Sequence, residues 1–396
     1  METLALVVEI VTALLTASGI VYGLLALSGV RAFERDSKAR GVSGFAPGVS
    51  ILKPLKGVDS RMYAGFVSHC KQTYAGEWEI LFGVSSLDDA AVATVARLRV
   101  EHPLIPIRIV ECPQRLGPNG KVSTLAQLVP HAAHEYLVVN DSDILVSMHY
   151  LDAVINPFTD EDTGAVPVGL VTVPYIGTAE KTLWSRLEAL GISTDFMPGV
   201  LTARKLEGGI RFGLGSTLAT TKTALAAIGG FESLVDQLAD DYEMGSRIAA
   251  AGYRVELANE VVATTVPAYT LRGFCEHQLR WARGTRDSRR LGYIGLGVTY
   301  VLPWALACVI ASGGALWSFS LLSVALLVRV AVALSVGVGV LKDGQVLRDL
   351  ALLPLRDCFG LWFWAWSYAS DVVVWRGERF RLKRGRLEKQ SVEDRA

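Results

Sequence analysis

The sequence predicts an α/β domain with a mainly parallel sheet, in a chain that also carries membrane segments. From Pro47 onward, short apolar strands alternate with stretches in which apolar residues have helical spacing. This alternation is typical of parallel sheets joined by right-handed crossovers. The chain is 51% hydrophobic and 20% charged, with the charged residues concentrated in the middle. We therefore expect a soluble domain over residues 47–290, held between apolar segments.

Each predicted element has its own signal. The strand at 49–54 is apolar and stops at a proline, and the strand at 136–139 is a short apolar run before a polar turn. The remaining predicted strands are 79–84 and 107–110. The predicted helices, from apolar residues at helical spacing, are 90–101, 122–129 and 242–251.

Residues 1–30 form the first apolar segment, and such a segment crosses a bilayer once it has about 20 residues. Its apolar part is long for a signal peptide, so we interpret it as a retained transmembrane anchor. The basic residues that follow it are Arg31, Arg35, Lys38 and Arg40. The positive-inside rule then places this side, and the central domain, in the cytosol.

A second apolar block, residues 291–341, suits a pair of transmembrane helices with Gly313 and Gly314 at the turn. Arg329 interrupts it, and an arginine at bilayer depth is expected to face another helix or to mark a helix end. Residues 345–376 mix four tryptophans with charged side chains. We predict an interfacial or re-entrant amphipathic segment there, with a further span as the alternative, followed by a basic cytosolic tail at 377–396.

Composition also excludes several classes of protein. Lysine plus arginine balance aspartate plus glutamate at 39 each, so the bulk charge gives no support for a nucleic-acid partner. The five cysteines are scattered without a Cys-x-x-Cys pair, which argues against a disulfide framework or a structural zinc site. Neither Gly-x-Gly-x-x-Gly after the first strand nor a Walker sequence is present, so a dinucleotide or P-loop site is not expected.

The most informative motif is Asp141-Ser142-Asp143, at the end of an apolar strand. Ligands of open α/β sheets bind at the carboxyl ends of the strands. Two aspartates with one spacer can hold Mg²⁺ or Mn²⁺, which prefer oxygen ligands and are commonly shared with substrate phosphates. The motif therefore predicts a site for a metal-bridged diphosphate such as that of a nucleotide-sugar. The alternative is a capped strand–helix junction.

Three further side chains are candidates for the donor. Asp88 follows the second predicted strand, where a carboxylate can accept hydrogen bonds from a ribose or a base. Asp88 and Asp89 also precede a helical stretch, so helix capping is the competing interpretation. Lys53 and Lys121 are candidates to neutralise phosphate as point charges, or are ordinary surface lysines.

Asp240 and Asp241 begin the predicted helix at 242–251. Adjacent carboxylates repel, which raises the pKa of one of them and suits a general base. Simple capping of the helix is the alternative. The stretch before them, residues 213–231, is rich in glycine and threonine, which is typical of backbone that approaches a ligand closely.

The last candidate cluster precedes the second apolar block and contains His277, Arg280, Trp281, Arg283 and Arg286. Arginine suits bidentate contact with phosphate, and tryptophan can stack on a sugar or base. For the arginines nearest the membrane block, a basic collar attracted to anionic lipid is the alternative.

Together these residues resemble a known family. Asp88, Asp141-Ser142-Asp143, Asp241 and Arg280-Trp281, in this order, resemble the D, DxD, D, (Q/R)xxRW signature of membrane-bound family 2-like glycosyltransferases. Residues 51–57, Ile-Leu-Lys-Pro-Leu-Lys-Gly, resemble glycosyltransferase family 21, the ceramide glucosyltransferases and their bacterial relatives that glycosylate hopanoids. The similarity spans about residues 1 to 380. His277 departs from the pattern, in which this position is Gln or Arg.

The resemblance implies a GT-A fold, a UDP-sugar donor, a membrane-lipid acceptor and inversion at the anomeric carbon. By position, Asp88 is expected to hold the uridine, and Asp141 and Asp143 to hold Mg²⁺ or Mn²⁺ on the diphosphate. Asp241 is expected to be the general base. Arg280 is expected to stabilise the leaving UDP, with Trp281 on the acceptor side and His277 at the diphosphate, at the acceptor or only packed.

The expected activity is transfer of one hexose, with glucose transfer to ceramide as the leading expectation. The first alternative is a hopanoid N-acetylglucosaminyltransferase with the same fold and another lipid. The second is an inactive lipid- or nucleotide-binding scaffold, which the intact set of carboxylates disfavours. A processive polysaccharide synthase is disfavoured because two or three spans are few for a polymer channel.

Overall fold

The computed structural model describes residues 2–39, 44–163, 166–375 and 378–389. Arg40, one of the residues used to predict orientation, lies outside them, as does the end of the predicted basic tail. The chain divides into two compact units. The sheet unit comprises residues 40–175, 209–265 and 383–396, and the helical unit comprises residues 1–39, 176–208 and 266–382.

Within the described residues, the α-helices are α1 (Glu2–Ala39), α2 (Met62–Cys70), α3 (Ala91–Glu101), α4 (Gly120–Leu128), α5 (Tyr150–Ile155), α6 (Leu183–Gly191), α7 (Met197–Glu207), α8 (Lys222–Ala227), α9 (Asp240–Ala250), α10 (Leu271–Ser288), α11 (Arg290–Thr299), α12 (Val301–Ala311), α13 (Leu316–Ala333), α14 (Gln345–Asp349) and α15 (Leu353–Ser367). The strands are β1 (Val49–Pro54), β2 (Trp78–Val84), β3 (Ile107–Glu111), β4 (Tyr136–Val139), β5 (Val168–Thr172), β6 (Tyr175–Ala179), β7 (Leu218–Thr221), β8 (Arg254–Leu257), β9 (Val262–Val266), β10 (Val372–Trp375), β11 (Glu378–Lys383) and β12 (Arg386–Lys389). Ile192–Phe196 and Leu334–Val340 are π-helical.

The sheet unit is built on a seven-stranded sheet with the order β3-β2-β1-β4-β7-β5-β8. β1 pairs in parallel with both β2 and β4, and β2 pairs in parallel with β3. β7 is antiparallel to both of its neighbours. The prediction of a mainly parallel α/β sheet is confirmed, and the strands predicted at 49–54 and 136–139 have the predicted bounds.

The central strands are almost entirely buried, which explains their continuous apolar sequence. Ile51 of β1 lies between Ile80 of β2 and Val138 of β4, and all three are fully buried. Strands covered on both faces need apolar side chains in both directions. Because β1, β2 and β4 are parallel, the residues after each of them lie at one edge of the sheet.

In the helical unit, α1, α12 and α13 pack against one another. Gly313 and Gly314 both have positive φ, at 65° and 79°, and form the predicted turn between α12 and α13. Two helical stretches, Thr3–Lys38 and Leu316–Val340, are long and apolar enough to cross a membrane. α11 and α12 form a third candidate only if this pair, bent by 55°, is one span.

The helical unit also contains segments that the sequence grouped with the soluble domain. Residues 176–208 and 266–290 belong with the apolar helices, because α7 packs on α1 and α10 packs on α15. α15 has 15 residues and is not among the candidate spans of the described chain. Its predicted interfacial placement remains a prediction.

Candidate active site

Buried Asn140 lies between the end of β4 and the Asp141-Ser142-Asp143 turn, and its hydrogen bonds hold that turn in place. Asn140 Nδ2 donates to the Ser216 carbonyl at 2.8 Å and to the Tyr150 hydroxyl at 2.9 Å. His69 Nε2 lies 3.1 Å from Asn140 Oδ1. These groups are buried, and buried polar groups form stable structure only when they are paired. Asn140 is therefore fixed to α2, to α5 and to the segment just before β7.

Lys53, at the end of β1, is fully buried, and its Nζ donates to the Asp141 carbonyl at 3.2 Å. Burial lowers the pKa of Lys53 to about 7, although the nearby charges of Asp143 and Asp141 oppose this shift. The observed contact is with the backbone of the turn. Direct contact of Lys53 with a donor phosphate stays a prediction, and the arrangement supports a role in holding Asp141.

Lys121, in the first turn of α4, links the aspartate turn to the start of α9. Its Nζ lies 2.8 Å from Asp141 Oδ1 and 3.7 Å from Asp240 Oδ2. Burial disfavours the charge, but Asp141 and Asp240 outweigh it and raise the pKa of Lys121. The side chain is 15% exposed, so this ammonium stays charged at the edge of the sheet where a phosphate is expected.

Asp143 and Asp141 offer carboxylate oxygens suited to a divalent cation. Asp143 Oδ2 accepts from Thr264 Oγ1 at 2.8 Å and from the Thr265 N–H at 2.6 Å, while Oδ1 has no hydrogen bond within the described chain. The described residues contain no group of three or more His, Cys, Asp or Glu side chains able to hold a metal. Mg²⁺ is commonly held by one or two carboxylates together with substrate phosphates. The carboxylates of Asp141 and Asp143 therefore fit a divalent cation that binds together with a diphosphate.

Asp241 lies in the first turn of α9, against a glycine-rich loop. A Cβ on Gly215 would lie 3.0 Å from Asp241 Oδ2, and one on Gly213 would lie 2.8 Å from the Asp241 carbonyl. Glycine at both positions thus permits the approach. Asp241 Oδ1 accepts from the Tyr242 N–H at 2.8 Å. Burial, and then repulsion from Asp240, raise the pKa of Asp241 to about 6, although Lys121 lowers it. This value suits a general base near neutral pH.

Asp88 and Asp89 have separate roles. Asp89 accepts hydrogen bonds from the Gly57 N–H at 3.0 Å and from the Ala91 N–H at 2.8 Å, so it holds the start of α3. The side chain of Asp88 is exposed in the turn after β2. Asp89 is therefore the residue that caps the helix. The side chain of Asp88 remains accessible, and its contact with uridine stays a prediction.

Sequence reasoning missed several residues at this edge of the sheet. Asp59 Oδ2 accepts from Ser142 Oγ at 2.8 Å, which adds a third carboxylate beside the turn. Asn119 Nδ2 donates to Asp240 Oδ1 at 3.2 Å and caps α4. The signal for Asn119 was available as an N-cap residue two positions before Lys121, whereas Asp59 has no local signature.

The remaining predicted residues lie on α10 in the helical unit. His277 Nδ1 lies 2.9 Å from Glu188 Oε2, and the imidazole stacks on Tyr269 with ring centroids 5.4 Å apart. Trp281 lies beside His277, at 5.0 Å between centroids. Arg280 is half-buried on the same helix. The donor and acceptor roles of these three side chains stay predictions.

Arg283 and Arg286, also on α10, bond within the helical unit. Arg283 donates to the Val372 carbonyl, and Arg286 donates to the Ser367 carbonyl and pairs with Asp371. These contacts connect α10 to the segment around β10. They engage both guanidinium groups within the helical unit, although Arg283 Nε has no hydrogen-bond partner among the described residues.

Comparisons with known proteins show which family and which relatives this chain resembles. The model of glycosyl transferase family 21 matches residues 11–388. Ceramide glucosyltransferase 3 of Caenorhabditis elegans is 26% identical over 239 residues, which are 60% of this chain and 50% of that protein. Ceramide glucosyltransferase 1 of the same organism is 24% identical over 237 residues, 60% of this chain and 49% of that protein. The chain thus spans about half the length of the curated relatives it matches.

Among solved structures, the mannosyltransferase PcManGT from Pyrobaculum calidifontis, in complex with GDP-Man and Mn²⁺, matches with a TM-score of 0.50. The two are 19% identical, and the match covers 90% of this chain and 97% of that chain. This similarity shows a GT-A-like fold, as the resemblance implied. Since the family model matches nearly the whole chain, the protein belongs to glycosyltransferase family 21.

Proposed function

We propose that the protein is an inverting glycosyltransferase that moves one hexose from a UDP-sugar to the hydroxyl of a membrane lipid, with glucose transfer to ceramide as the leading reaction. The observation that carries the proposal is the convergence of Asp141, Lys121 and Asp241 at the carboxyl edge of the sheet, where the charge of Asp241 interacts with those of Lys121 and Asp141. Lys121 joins Asp141 at 2.8 Å to the acidic start of α9. Family membership and the ceramide glucosyltransferase relatives support the choice of substrates.

Each charged group has a task in such a transfer. Asp141 and Asp143 would hold a divalent cation, which when bound neutralises negative charge on the donor diphosphate. Lys121 adds a second positive charge at the same edge, which favours departure of UDP. Hydrogen bonds of Lys53 and Asn140 hold the turn in place, so the two carboxylates need little reorganisation to bind the cation.

Asp241 acts as the general base. Its Oδ2, which does not bond Tyr242, takes the proton of the lipid hydroxyl as that oxygen attacks the anomeric carbon. The bond from this carbon to the phosphate oxygen breaks, and UDP leaves with the electron pair. One displacement inverts the anomeric configuration, so no second carboxylate is needed for a covalent intermediate.

The α10 residues take the roles that the family motif implies. Arg280 would stabilise the leaving diphosphate and Trp281 would line the acceptor side. His277 replaces Gln or Arg in the motif, and its contact with Glu188 fixes the imidazole on α10. We assign it to orienting Trp281, whose ring it contacts.

We further propose that the sheet unit faces the cytosol, where UDP-sugars are made available to the enzyme. The basic residues after the apolar part of α1 support this orientation through the positive-inside rule. In a cysteine-free background, Arg384→Cys should react with a membrane-impermeant maleimide only after the cells are opened. Labelling of intact cells would overturn the orientation.

A donor and acceptor panel tests the reaction. Purified protein in lipid nanodiscs is given UDP-glucose, UDP-N-acetylglucosamine or GDP-mannose, with ceramide or a hopanoid alcohol, in Mn²⁺ or Mg²⁺. Mass analysis of the extracted lipids should show a hexose on ceramide from UDP-glucose, and at least about a hundredfold less of this product with the Asp241→Asn variant. N-acetylhexosaminyl hopanoid as the sole product would favour the alternative enzyme. Failure of every pair to react would favour the scaffold.

A further inference from the structure

The helical unit contains a small cavity with a mainly apolar lining, to which Asp195, Tyr300 and Arg329 add polar groups. Its lining comes from α1, α7, α11, α12 and α13, from the residue between α11 and α12, and from the π-helical turn before α7. The lining residues are Gly19, Tyr22, Gly23, Thr194, Asp195, Pro198, Thr299, Tyr300, Val301, Val328, Arg329 and Val332. All of them belong to the helical unit, whereas the carboxylates described above belong to the sheet unit.

The charges at this cavity are balanced. Arg329 donates to Asp357 at 2.8 Å and also pairs with Asp195, while Arg356 lies 2.8 Å from Asp195. Two arginines thus face two aspartates. Charged groups in apolar helices are costly unless paired, and they commonly mark functional positions. Asp195 and Thr194 lie in the π-helical turn Ile192–Phe196, a conformation that is frequent at functional sites.

Hydrogen-bonding capacity remains at the cavity after these pairs are formed. Nε and Nη2 of Arg329 are used by Asp357, Asp195 and Thr194, and Nη1 donates once, to the Thr194 carbonyl at 2.9 Å. A guanidinium has five N–H groups, so one Nη1 hydrogen has no acceptor in the described part of the chain. Arg329 is only 6% exposed. The hydroxyl of Tyr300 likewise makes no hydrogen bond with the residues described.

The size of the cavity limits what can enter. It offers about 30 Å³ to the centres of water-sized molecules, and one such molecule needs about 10–15 Å³. A hydroxyl or two fits in this space. The remaining walls are apolar, from Val301, Val328 and Val332, and Gly23 keeps α1 close because a Cβ there would clash with Val328.

We propose that this cavity binds the free hydroxyl of a membrane lipid, with Arg329 donating to the hydroxyl oxygen and Asp195 or the Tyr300 oxygen accepting its hydrogen. A hydroxyl is both donor and acceptor, which matches the mixed lining. The apolar body of the lipid would then lie against the apolar helices. The inference deepens the proposed function by naming a lipid-alcohol site on the helical unit, and it does not require that the bound lipid is the one glycosylated.

Photochemical labelling in nanodiscs tests the site without requiring turnover. The full-length protein is irradiated with a diazirine-bearing ceramide, which has free hydroxyls, or with a diazirine-bearing phosphatidylcholine of equal chain length, which has none. Peptides are then mapped by mass spectrometry. We expect saturable ceramide labelling of α1 or α13 that unlabelled ceramide competes away, and only weak, non-saturable labelling by phosphatidylcholine.

Val328→Phe fills the cavity and should reduce ceramide labelling about tenfold, the factor that corresponds to 1.4 kcal/mol. Val324→Phe is the matched control, because Val324 is 46% exposed one turn earlier on α13 and does not line the cavity. Thr299→Leu fills the same space from α11, so the site can still be tested if Val328→Phe fails to fold. Equal labelling by both probes, or full labelling of both filled variants, would overturn the site and leave a water-filled cavity.

The outcome is independent of the catalytic assignment. The same labelling is repeated with the Asp241→Asn variant, in which transfer is expected to be lost. Retained labelling without transfer supports the lipid site and the base together. If wild-type protein glycosylates no lipid in the panel above but still shows hydroxyl-dependent labelling, the proposed reaction fails while the lipid site stands.

Discussion

Asp241 has the environment that a general base requires. It lies in the first turn of α9 beside Asp240, with glycines at positions 213 and 215 leaving room for its carboxylate. Helix N-termini favour the anion, but burial and the neighbouring carboxylate prevail and raise its pKa to about 6. The carboxylate is therefore ionised at neutral pH and more basic than an exposed aspartate.

Replacing Asp241 by Asn should reduce kcat by about 10²–10⁴-fold, because the amide cannot accept the hydroxyl proton. KM for the UDP-sugar should change little, since Asp241 is not expected to touch the donor phosphates. Steady-state kinetics with ceramide in nanodiscs measure both. Glu243→Gln, on the same helix but paired with Arg247, is the control and should keep wild-type kcat. Wild-type turnover by Asp241→Asn would refute the assignment.

The pH dependence follows from the same pKa. Protonated Asp241 cannot act as a base, so kcat/KM should fall by about tenfold for each pH unit below about 6 and should level off above it. Asp240 raises the pKa of Asp241, so Asp240→Asn should move this acidic limb to lower pH. A profile of kcat/KM at saturating divalent cation tests both. If the acidic limb of the profile stays at the same pH in Asp240→Asn, Asp240 does not raise the pKa of Asp241.

At the scale of elements, β4 and the turn after it depend on the buried hydrogen bonds of Asn140. Asn140→Ala leaves the Tyr150 hydroxyl and the Ser216 carbonyl without this partner. The free energy of unfolding should fall by about 1–3 kcal/mol, as measured by urea titration of tryptophan fluorescence in detergent. Thr73→Val removes a hydrogen bond to the Met148 carbonyl that is exposed, and should have a much smaller effect. Equal losses in the two variants would refute the buried role.

The helical unit offers a second test at this scale, in the pair formed by Arg329 of α13 and Asp357 of α15. Arg329→Leu leaves buried Asp357 and partly buried Asp195 against one arginine, and should destabilise the protein by about 3–5 kcal/mol. In the double variant Arg329→Leu, Asp357→Leu, the charges of Asp195 and Arg356 still balance. Thermal unfolding should therefore show the double variant to be more stable than Arg329→Leu. If the second substitution lowers the stability further, so that the two losses add in the double variant, Arg329 and Asp357 do not form a buried pair.

Elements with strong local patterns were predictable. β4 ends an apolar run directly before two aspartates, and the Gly313-Gly314 turn separates two apolar helices, so both were placed correctly. The burial of Lys53 was not predictable, because nothing in its local sequence marks a lysine whose ammonium bonds a carbonyl far away in the chain. Arg329 was expected to face another helix or to mark a helix end. Its partners Asp195 and Asp357 could not be named in advance, because they come from distant segments that only the tertiary structure brings together.

At the scale of the whole molecule, the chain alternates between the two units rather than running through one soluble domain. Residues 176–208 leave the sheet unit and return to it, and residues 266–290 join the apolar helices. These segments are amphipathic, so their sequence resembles that of soluble helices. The helical unit therefore includes the α10 motif residues as well as the apolar helices.

We propose that Asp141 and Asp143 hold a cation on the donor diphosphate. Equilibrium dialysis of purified protein with radiolabelled UDP-glucose tests it most directly. Binding should be lost in EDTA, should return with Mn²⁺ or Mg²⁺, and should be weak in Asp143→Asn at every cation concentration, while the Glu243→Gln control binds as wild type does. Tight UDP-glucose binding that persists in EDTA and in Asp143→Asn would contradict the account.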